Sequence, residues 1–373
     1  MDNERKHIIF LARWYPNRYD PMLGLFVQRH AEAAALYNDI SVVYVHPDDK
    51  FDIVDDTTNN VRTIRVYYKK SKSKIISLIR FYRANHLALK RLPKPDIIHI
   101  HVLTRLGLIA WWHKIIHGTP YIITEHWSRY LPGNDFSGFL RKKLTKLVVK
   151  HASAVTTVTD ILAKAMKNHG LRNDNYVIVP NVVDINMFKP QQHHNEIPKI
   201  IHISCFENKS KNITGLIDAL SILEENNIAF QCVFIGNGID FSMIKDYSKK
   251  LKNQKNIRFT GVLEGQDVAN ELAAGDFLVL SSNYETQGVV LLEAFACGLP
   301  VVSTNVGGIP EIVNESNGIL VPPQDPEKLA SAMQTMLQTS QNYDANTLRD
   351  SIIKKFSNEA VGKLLDDIYK NNN

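Results

Sequence analysis

The residues between Leu280 and Pro300 are the best suited in this chain to bind a phosphorylated ligand. A buried strand is predicted to end near Leu280, and a helix is predicted to begin near Gly288 after a polar loop. The start of a helix presents backbone N–H groups without intrahelical acceptors and a partial positive charge. The backbone of Gly288 and Val289 is therefore predicted to bind a phosphate group.

Two glutamates flank this predicted phosphate site. Glu285 lies in the loop and Glu293 inside the helix, so at about 1.5 Å of rise per residue they should stand roughly 10 Å apart. Carboxylates accept strong hydrogen bonds from vicinal hydroxyls, so the pair predicts a nucleotide sugar, with the sugar at Glu285 and the ribose at Glu293. The alternative is an amphipathic helix with two solvated glutamates. Glu293 stands among apolar residues, where a carboxylate is costly without a partner, and this favours the functional interpretation.

A lysine lies before another predicted helix, over residues 213–223, which follows the predicted strand Lys199–Ile203. A lysine near a helix start can reach an anion that the backbone already attracts, so Lys211 is predicted to stabilise a diphosphate leaving group. The alternative is a surface lysine that contacts no ligand.

The N-terminal half offers further candidates. Gly24 lies between the first strand and first helix, where a glycine permits close approach of the backbone to a phosphate or sugar, or simply forms a turn. His126 follows a predicted strand, at the end where open parallel sheets bind ligands, although a lone histidine is often structural. His99 and His101 alternate along a strand and should face one side. No third ligand stands at a suitable spacing, so both are predicted to be buried and hydrogen-bonded, and no metal site is predicted.

Apolar runs of strand length alternate with helical stretches along the chain. This pattern predicts parallel sheets with crossover helices, which would position these residues. At 373 residues the chain exceeds what one hydrophobic core usually serves. We predict four segments in order: an N-terminal acceptor-side Rossmann-like domain over 1–182, a linker over 183–196, a C-terminal nucleotide-sugar donor domain over 197–355, and a C-terminal helix within 356–373. This helix could pack on the second domain or cross back to the first.

The composition is 44% hydrophobic and 22% charged, which excludes a disordered or fibrous protein. Three widely spaced cysteines and the absence of a long apolar run predict a cytoplasmic protein. The net charge is +6, and residues 67–94 are basic without any acid. The basic, apolar segment Lys69–Arg83, with Ile75, Ile79 and Tyr82 at helical spacing, is predicted to contact an anionic membrane surface, unless it is a solvated helix face. No recognition motif accompanies it, so no nucleic-acid partner is predicted.

The Glu-x7-Glu spacing of residues 285 and 293 is followed by Ala-Cys-Gly-Leu-Pro over 296–300 and Gly-Gly-Ile-Pro-Glu over 307–311. With Pro-Asn-Val-Val-Asp over 180–184, this pattern resembles the donor half of the retaining glycosyltransferases of family 4, from about Asn181 to Asp325. In that family a histidine near the position of His126 contacts the donor sugar, and a glycine loop corresponds to Gly24. The chain departs from the family at Cys205 or Glu207, where an arginine is usual.

The resemblance implies an α/β, GT-B protein, with two Rossmann-like parallel-sheet domains facing a central cleft. It also implies retaining transfer of a hexose-type sugar from a nucleoside diphosphate sugar to a saccharide or lipid-linked saccharide in bacterial surface polysaccharide biosynthesis, at the inner face of the cell membrane. Lys211, Glu285 and His126 would be the catalytic residues. No metal or other cofactor is expected, because the pairs Asp48-Asp49 and Asp55-Asp56 are predicted to lie in a polar loop.

Other activities are compatible with the same residues. A nucleotide-sugar epimerase of this fold would convert the donor without an acceptor. A non-catalytic nucleotide-sugar-binding protein would bind the donor without turnover, and the missing arginine keeps this alternative open. A dinucleotide oxidoreductase is disfavoured, because Gly236-Asn237-Gly238 lacks the third glycine of the fingerprint.

Overall fold

The computed structural model describes residues 5–134 and 136–372. The chain divides into two units: unit 1 contains residues 1–182 and 358–373, and unit 2 contains residues 183–357. Each unit is built around its own largely parallel sheet with helices on both faces. This confirms the predicted fold class of two Rossmann-like α/β domains.

Unit 1 forms its sheet from apolar segments that are buried on both faces, as parallel strands require. Its elements, in chain order up to residue 182, are β1 (His7–Ala12), α1 (Leu25–Ala35), β2 (Asp39–Asp48), β3 (Asp52–Thr58), β4 (Val61–Lys69), α2 (Lys74–Leu89), β5 (Ile97–His101), α3 (Leu106–His117), β6 (Tyr121–Glu125), α4 (Phe139–His151), β7 (Ala154–Thr157), α5 (Asp160–Asn168) and β8 (Tyr176–Ile178). Within the described residues the strand order is β3-β4-β2-β1-β5-β6-β7-β8, and β3 is the antiparallel member.

The β3–β4 hairpin corrects the predicted polar loop. Asp48 ends β2, and Asp55 and Asp56 lie within β3. The two strands are joined at Asn59 and Asn60, whose φ angles of 50° and 62° are those of a tight hairpin turn. β3 is polar because it is an edge strand exposed to solvent, where cross-strand pairs such as Arg62 with Asp55, at 2.9 Å, replace apolar packing.

Unit 2 repeats the architecture with six parallel strands among residues 183–357, all of which are described. Its elements are β9 (Lys199–Ile203), α6 (Asn208–Lys211), α7 (Ile213–Glu225), β10 (Gln231–Ile235), α8 (Phe241–Tyr247), β11 (Ile257–Gly261), α9 (Gln266–Ala273), β12 (Phe277–Leu280), α10 (Val289–Ala296), β13 (Val301–Thr304), β14 (Gly318–Val321), α11 (Pro326–Thr339) and α12 (Ala345–Phe356). The strand order is β11-β10-β9-β12-β13-β14. Val183 and Phe188, which fall in the predicted linker, are buried in the core of this unit.

The last helix, α13 (Asn358–Asn371), belongs to unit 1 and packs on α1. The contact is close because Gly362 has no side chain: a Cβ there would lie 2.2 Å from the backbone oxygen of Ala33. The Tyr369 hydroxyl is 2.8 Å from Nδ1 of His99 in the sheet. Among the described helices of either unit, none is long and apolar enough to cross a membrane.

Candidate active site

Lys211 and Glu285 meet at the carboxyl end of the unit 2 sheet. The strand order reverses between β9 and β12, and ligands of open α/β sheets bind at such a switch point. Lys211 ends α6, which follows β9, and Glu285 lies in the loop after β12. The Lys211 Nζ donates to Glu285 Oε1 at 2.5 Å, and both side chains are largely buried. The structure therefore brings together two of the three predicted catalytic residues.

Hydrogen bonds hold the two loops that carry this ion pair. The Ser281 hydroxyl donates to the backbone oxygen of Lys211 at 2.9 Å, and the Asn283 N–H donates to that of Ser210 at 2.8 Å. The Ser282 hydroxyl donates to Glu285 Oε1 at 2.9 Å, so this oxygen accepts from both a lysine and a serine. The carboxylate is thus fixed in place by its neighbours within unit 2.

A glycine after β13 supports the backbone of Glu285. Gly307 has a φ of 53°, and a Cβ built on it would lie only 1.7 Å from the Glu285 carbonyl oxygen. No side chain fits in that space, and the left-handed backbone also favours glycine. The close approach of these two backbones keeps the Glu285 loop against the next strand end.

The helix α10 begins where the sequence predicted a phosphate site. Gly288 is its N-cap residue with a φ of 74°, and Val289 is its first residue. The first N–H groups of any helix lack intrahelical acceptors, so this end can interact with an anion. Glu293 lies inside the helix at 7% exposure. The phosphate and ribose contacts of these residues stay predictions.

The charge at this site is carried by Lys211. Burial lowers the pKa of Lys211, but the charge and hydrogen bond of Glu285, together with Cys205 and Tyr284, outweigh burial, and the pKa is raised above its ordinary value. His202, on β9, is buried and close enough to Lys211 for the charge of that lysine to affect its pKa. Burial lowers the pKa of His202 to about 4, and the positive charge of Lys211 acts in the same direction. At neutral pH the site therefore holds a charged lysine beside an uncharged histidine.

Cys205 and Glu207, the two candidates for the position where the family usually has an arginine, are both exposed after β9. Lys209, on α6, is exposed as well, and its backbone oxygen accepts a hydrogen bond from Asn283 Nδ2 at 2.9 Å. Of the two lysines on this short helix, it is Lys211 whose ammonium group lies against Glu285.

His126, the third predicted catalytic residue, lies in unit 1, one residue after β6. Its Nδ1 is 3.1 Å from Asn181 Oδ1 and its Nε2 is 3.3 Å from Nδ1 of His101. The His30 ring, on α1, lies 5.1 Å from the His126 ring. Strand β1 stands between β2 and β5, so these side chains gather at the switch point of the unit 1 sheet.

Gly24 is the N-cap residue of α1, with a φ of 68°. A Cβ at this position would lie 2.3 Å from the backbone carbon of Trp14, so the glycine permits the loop after β1 to fold against the helix start. Two residues further on, the Phe26 ring lies 4.5 Å from the His126 ring. The structure therefore places the predicted glycine loop close to His126 within unit 1.

A buried glutamate fixes the loop that carries His126. Glu125 accepts hydrogen bonds from the backbone N–H groups of Leu103, His126 and Trp127 at 2.9–3.0 Å. Burial raises the pKa of Glu125 to about 7, although these three donors lower it. The backbone is strained just after the neighbouring strand β5, because Val102 is β-branched and has a φ of 66°. The hydrogen bonds of Glu125 and the left-handed conformation of Val102 determine the path of the backbone after β6 and β5.

Four residues that were not predicted from the sequence complete these clusters: His30, Glu125, Asn181 and Ser282. Asn181 stood in the quoted Pro-Asn motif, and Glu125 immediately preceded His126, so both had a signal in the sequence. His30 had none, because it occupies an interior position of an alanine-rich helix.

Comparison with known proteins finds two family models in succession. Residues 184–355 match the glycosyl transferases group 1 family, and residues 31–182 match a glycosyl transferase 4-like domain. N-acetyl-alpha-D-glucosaminyl L-malate synthase of Bacillus anthracis is 27% identical over 289 residues, 74% of each chain. Sucrose-phosphate synthase of Thermosynechococcus elongatus has a TM-score of 0.83 at 19% identity, covering 98% of this chain and 99% of that one. Anabaena HepE in complex with UDP-glucose has a TM-score of 0.78 at 17% identity, covering 98% and 100%.

The fold and the family matches together define a glycosyltransferase of the GT-B type. Within that class, unit 2 matches a group 1 domain and unit 1 matches a 4-like domain, which supports a family-4-type glycosyltransferase. The glycosyltransferase class inferred from this segment is thereby confirmed, whereas retention and the roles of the two glutamates stay predictions.

Proposed function

We propose that this protein moves a hexose-type sugar from a nucleoside diphosphate sugar to a saccharide or lipid-linked saccharide acceptor, with retention at the anomeric carbon. The observation that carries the proposal is the buried ion pair of Lys211 and Glu285 at the switch point of unit 2, three residues before the N-cap of α10. HepE, whose fold this chain shares, binds UDP-glucose, which supports a nucleotide-sugar donor.

In this proposal unit 2 binds the donor. The diphosphate interacts with the start of α10 at Gly288 and Val289, Glu293 accepts hydrogen bonds from the ribose hydroxyls, and Glu285 accepts them from the sugar. Glu285 also keeps Lys211 in place before the donor arrives. An ammonium group has three donors and Glu285 uses one, so the others can reach phosphate oxygens.

The transfer breaks the bond between the anomeric carbon and the leaving phosphate oxygen, on which negative charge grows. Lys211 and the positive end of α10 stabilise that charge, so no metal is needed at the phosphates. The acceptor hydroxyl attacks from the same face, and its proton passes to the leaving phosphate oxygen. No separate general base is required, and configuration is retained. By the family resemblance, His126 contacts the donor sugar and Gly24 lies near donor and acceptor.

A lipid-linked acceptor in bacterial surface glycan assembly agrees with the surface of unit 1. On α2, Ile75 is 72% exposed and Ile79 is 53% exposed, beside Lys72 and Lys74. Tyr82 is half-buried against the core and does not belong to this exposed face. Helices α3 and α4 pack on the same core as α2 and also expose large apolar residues, Trp112, Ile115, Ile116, Phe139 and Leu140. Such a basic and apolar layer suits the anionic inner face of a cell membrane.

The first test is thermal stability against a panel of uridine, guanosine, adenosine and thymidine diphosphates and their sugars. The true donor should stabilise the wild type by about 2.7 kcal/mol at a hundredfold excess over its dissociation constant. The isosteric variant Glu293→Gln should lose most of this effect while its melting temperature without ligand stays close to wild type.

Turnover then separates the alternatives. The selected donor is incubated with and without saccharide acceptors, and the anomeric configuration of the product is read by NMR. Conversion of the donor without an acceptor would instead identify an epimerase. Binding without turnover over the acceptor panel would identify a non-catalytic donor-binding protein, and no binding of any nucleotide would overturn the donor site.

A further inference from the structure

We infer that His30, His101 and His126 form a binding site for a divalent transition-metal ion, zinc being the best fit, inside unit 1. The three residues come from α1, the end of β5 and the residue after β6. All three are buried, and one ring nitrogen of each lies within 4.8 Å of those of the others. The inference does not depend on the proposed function, because its residues all belong to unit 1.

The hydrogen bonds around two of these rings determine which nitrogens can bind an ion. His126 Nδ1 is 3.1 Å from Asn181 Oδ1, and His30 Nε2 is 2.9 Å from the backbone oxygen of Pro180. Both oxygens can only accept, so these two nitrogens carry the protons of the neutral rings. His126 Nε2 and His30 Nδ1 are then left with lone pairs. Histidines that bind metals are oriented in this way, with the second nitrogen donating to an oxygen.

His101 completes the set. Its Nδ1 lies 3.3 Å from His126 Nε2, at the long end for a hydrogen bond between two ring nitrogens. Two nitrogens bound tetrahedrally to one zinc at about 2.0–2.1 Å are themselves roughly 3.4 Å apart. The separation observed here matches two ligands of one ion, and the third nitrogen, within 4.8 Å of the others, would have to approach by up to about 1.4 Å.

Two ring nitrogens in this cluster are buried without a hydrogen-bond partner among the described residues: His30 Nδ1 and His101 Nε2. Buried polar atoms are nearly always paired, so an orphan of this kind calls for a ligand. A metal ion gives His30 Nδ1 its partner. His101 Nε2 keeps its proton and stays without a partner among the described residues, so the ion accounts for one of the two orphan nitrogens.

The protonation states suit an ion as well. Burial lowers the pKa of His30 to about 4 and those of His101 and His126 well below the usual range. The rings are therefore neutral at pH 7, as metal ligation requires. Three imidazoles suit tetrahedral zinc with a fourth position open. His126 is the most exposed of the three at 7%, so a water can take that position.

The adjacent His99 provides a matched control. It lies on the same strand as His101 and is equally buried. Its Nδ1 is 2.8 Å from the Tyr369 hydroxyl and its Nε2 is 2.6 Å from the Thr124 hydroxyl, so both nitrogens have partners. A second control is His117 on α3, whose ring lies 4.5 Å from that of His113 and could bind ions weakly at the surface.

The test uses the full chain without a polyhistidine tag, stripped with a chelator and titrated with Co²⁺ as a spectroscopic probe. The wild type, His99→Gln and His117→Gln should each take up one equivalent, with the visible absorption of tetrahedral cobalt, and Zn²⁺ should displace it. His101→Gln and His126→Gln should lose this absorption. Circular dichroism verifies that each variant is folded.

Should His101→Gln and His126→Gln fail to fold, Asn181→Ala provides the decisive variant. It removes the side-chain amide whose oxygen orients His126 and leaves all three histidines in place, and it should weaken zinc binding by about 10- to 100-fold. The inference is overturned if the folded wild type takes up no cobalt at micromolar ion. It is equally overturned if uptake is unchanged in folded His101→Gln or in Asn181→Ala, since the cluster would then be a network of neutral, structural histidines.

Discussion

Lys211 and Glu285 stand 74 positions apart in the sequence, and their side chains meet at 2.5 Å. The contact exists because the strands that precede them, β9 and β12, are neighbours in the sheet although two other strands separate them along the chain. A buried lysine held by a carboxylate retains its charge before a substrate arrives. The positive charge that the proposed reaction needs is therefore already in position.

We expect Lys211→Ala to lower kcat for sugar transfer by about 100- to 1000-fold, as loss of a group that stabilises a developing oxyanion does. Glu285→Ala should lower kcat as well. The double variant should lose less than the product of the two single effects, because the residues act as a pair. The matched control is Lys209→Ala, which removes an exposed lysine of the same short helix and should leave kcat near wild type. Equal losses in both lysine variants would contradict a specific role of Lys211.

Gly307→Ala should abolish most activity, because its Cβ would occupy the space of the Glu285 carbonyl oxygen, 1.7 Å away. The comparison is Gly118→Ala, where φ is 71° but nothing lies within 4 Å of the new Cβ. That control isolates the cost of left-handed backbone, about 1 kcal/mol of unfolding free energy, from the steric clash. Steady-state kinetics measure the activity of each variant, and urea denaturation measures its unfolding free energy. Normal kinetics in Gly307→Ala would show that the Glu285 loop is not fixed by this contact.

The unfolding free energy of unit 2 should fall as the pH is lowered from 7 towards 4, through His202. Burial lowers its pKa from 6.5 to about 4 in the folded chain, so the unfolded chain binds a proton in this interval and the folded chain does not. The contribution amounts to about 3 kcal/mol, present above pH 6.5 and lost towards pH 4. Urea unfolding followed by far-UV circular dichroism should show a shallower pH dependence in His202→Gln than in wild type. An identical slope in the two proteins would rule out His202 as its source.

Tyr369→Phe should destabilise unit 1 by about 1–3 kcal/mol, because it leaves His99 Nδ1 buried without its partner. All four tryptophans, Trp14, Trp111, Trp112 and Trp127, lie in unit 1, so intrinsic fluorescence during urea unfolding reports on that unit. The control is Tyr247→Phe in unit 2, which removes an exposed bond to Asp218 and should leave the fluorescence transition unchanged. If the Tyr369 variant also leaves it unchanged, α13 does not stabilise unit 1 through this bond.

Ile75→Asp combined with Ile79→Asp should reduce flotation with anionic vesicles by about tenfold or more, because two exposed apolar side chains would no longer insert. Wild-type binding should weaken as salt is raised. The matched control is Ile239→Asp, which changes an isoleucine of unit 2 that is 88% exposed and lies outside this surface. Absence of salt-sensitive binding by the wild type would remove the membrane part of the proposal.

Much of the fold could be predicted because buried parallel strands appear in the sequence as short, nearly continuous apolar runs. The strand predicted over Lys199–Ile203 is β9, and β12 ends at Leu280 as predicted. β3 and β4 were missed because β3 is a polar edge strand, stabilised by cross-strand ion pairs rather than burial. The Asn59-Asn60 pair was the available signal for that hairpin.

The sites could be predicted residue by residue but not as contacts. Glu285 and Lys211 were each identified from position relative to a strand or helix end, whereas their pairing depends on strand order, which local patterns do not encode. The histidine cluster was missed for the same reason. The spacing of histidines along one strand cannot reveal this cluster, because His30, His101 and His126 come from three separate elements.

The path of the chain has a consequence for how the protein is made. Unit 1 begins with β1 and is completed by α13, so the whole of unit 2 is inserted within it. On the ribosome, all of unit 2 is synthesised before α13. The apolar face of α1 that α13 covers therefore stays exposed while the 175 residues of unit 2 are translated. Unit 1 is the first unit to begin synthesis and the last to be completed.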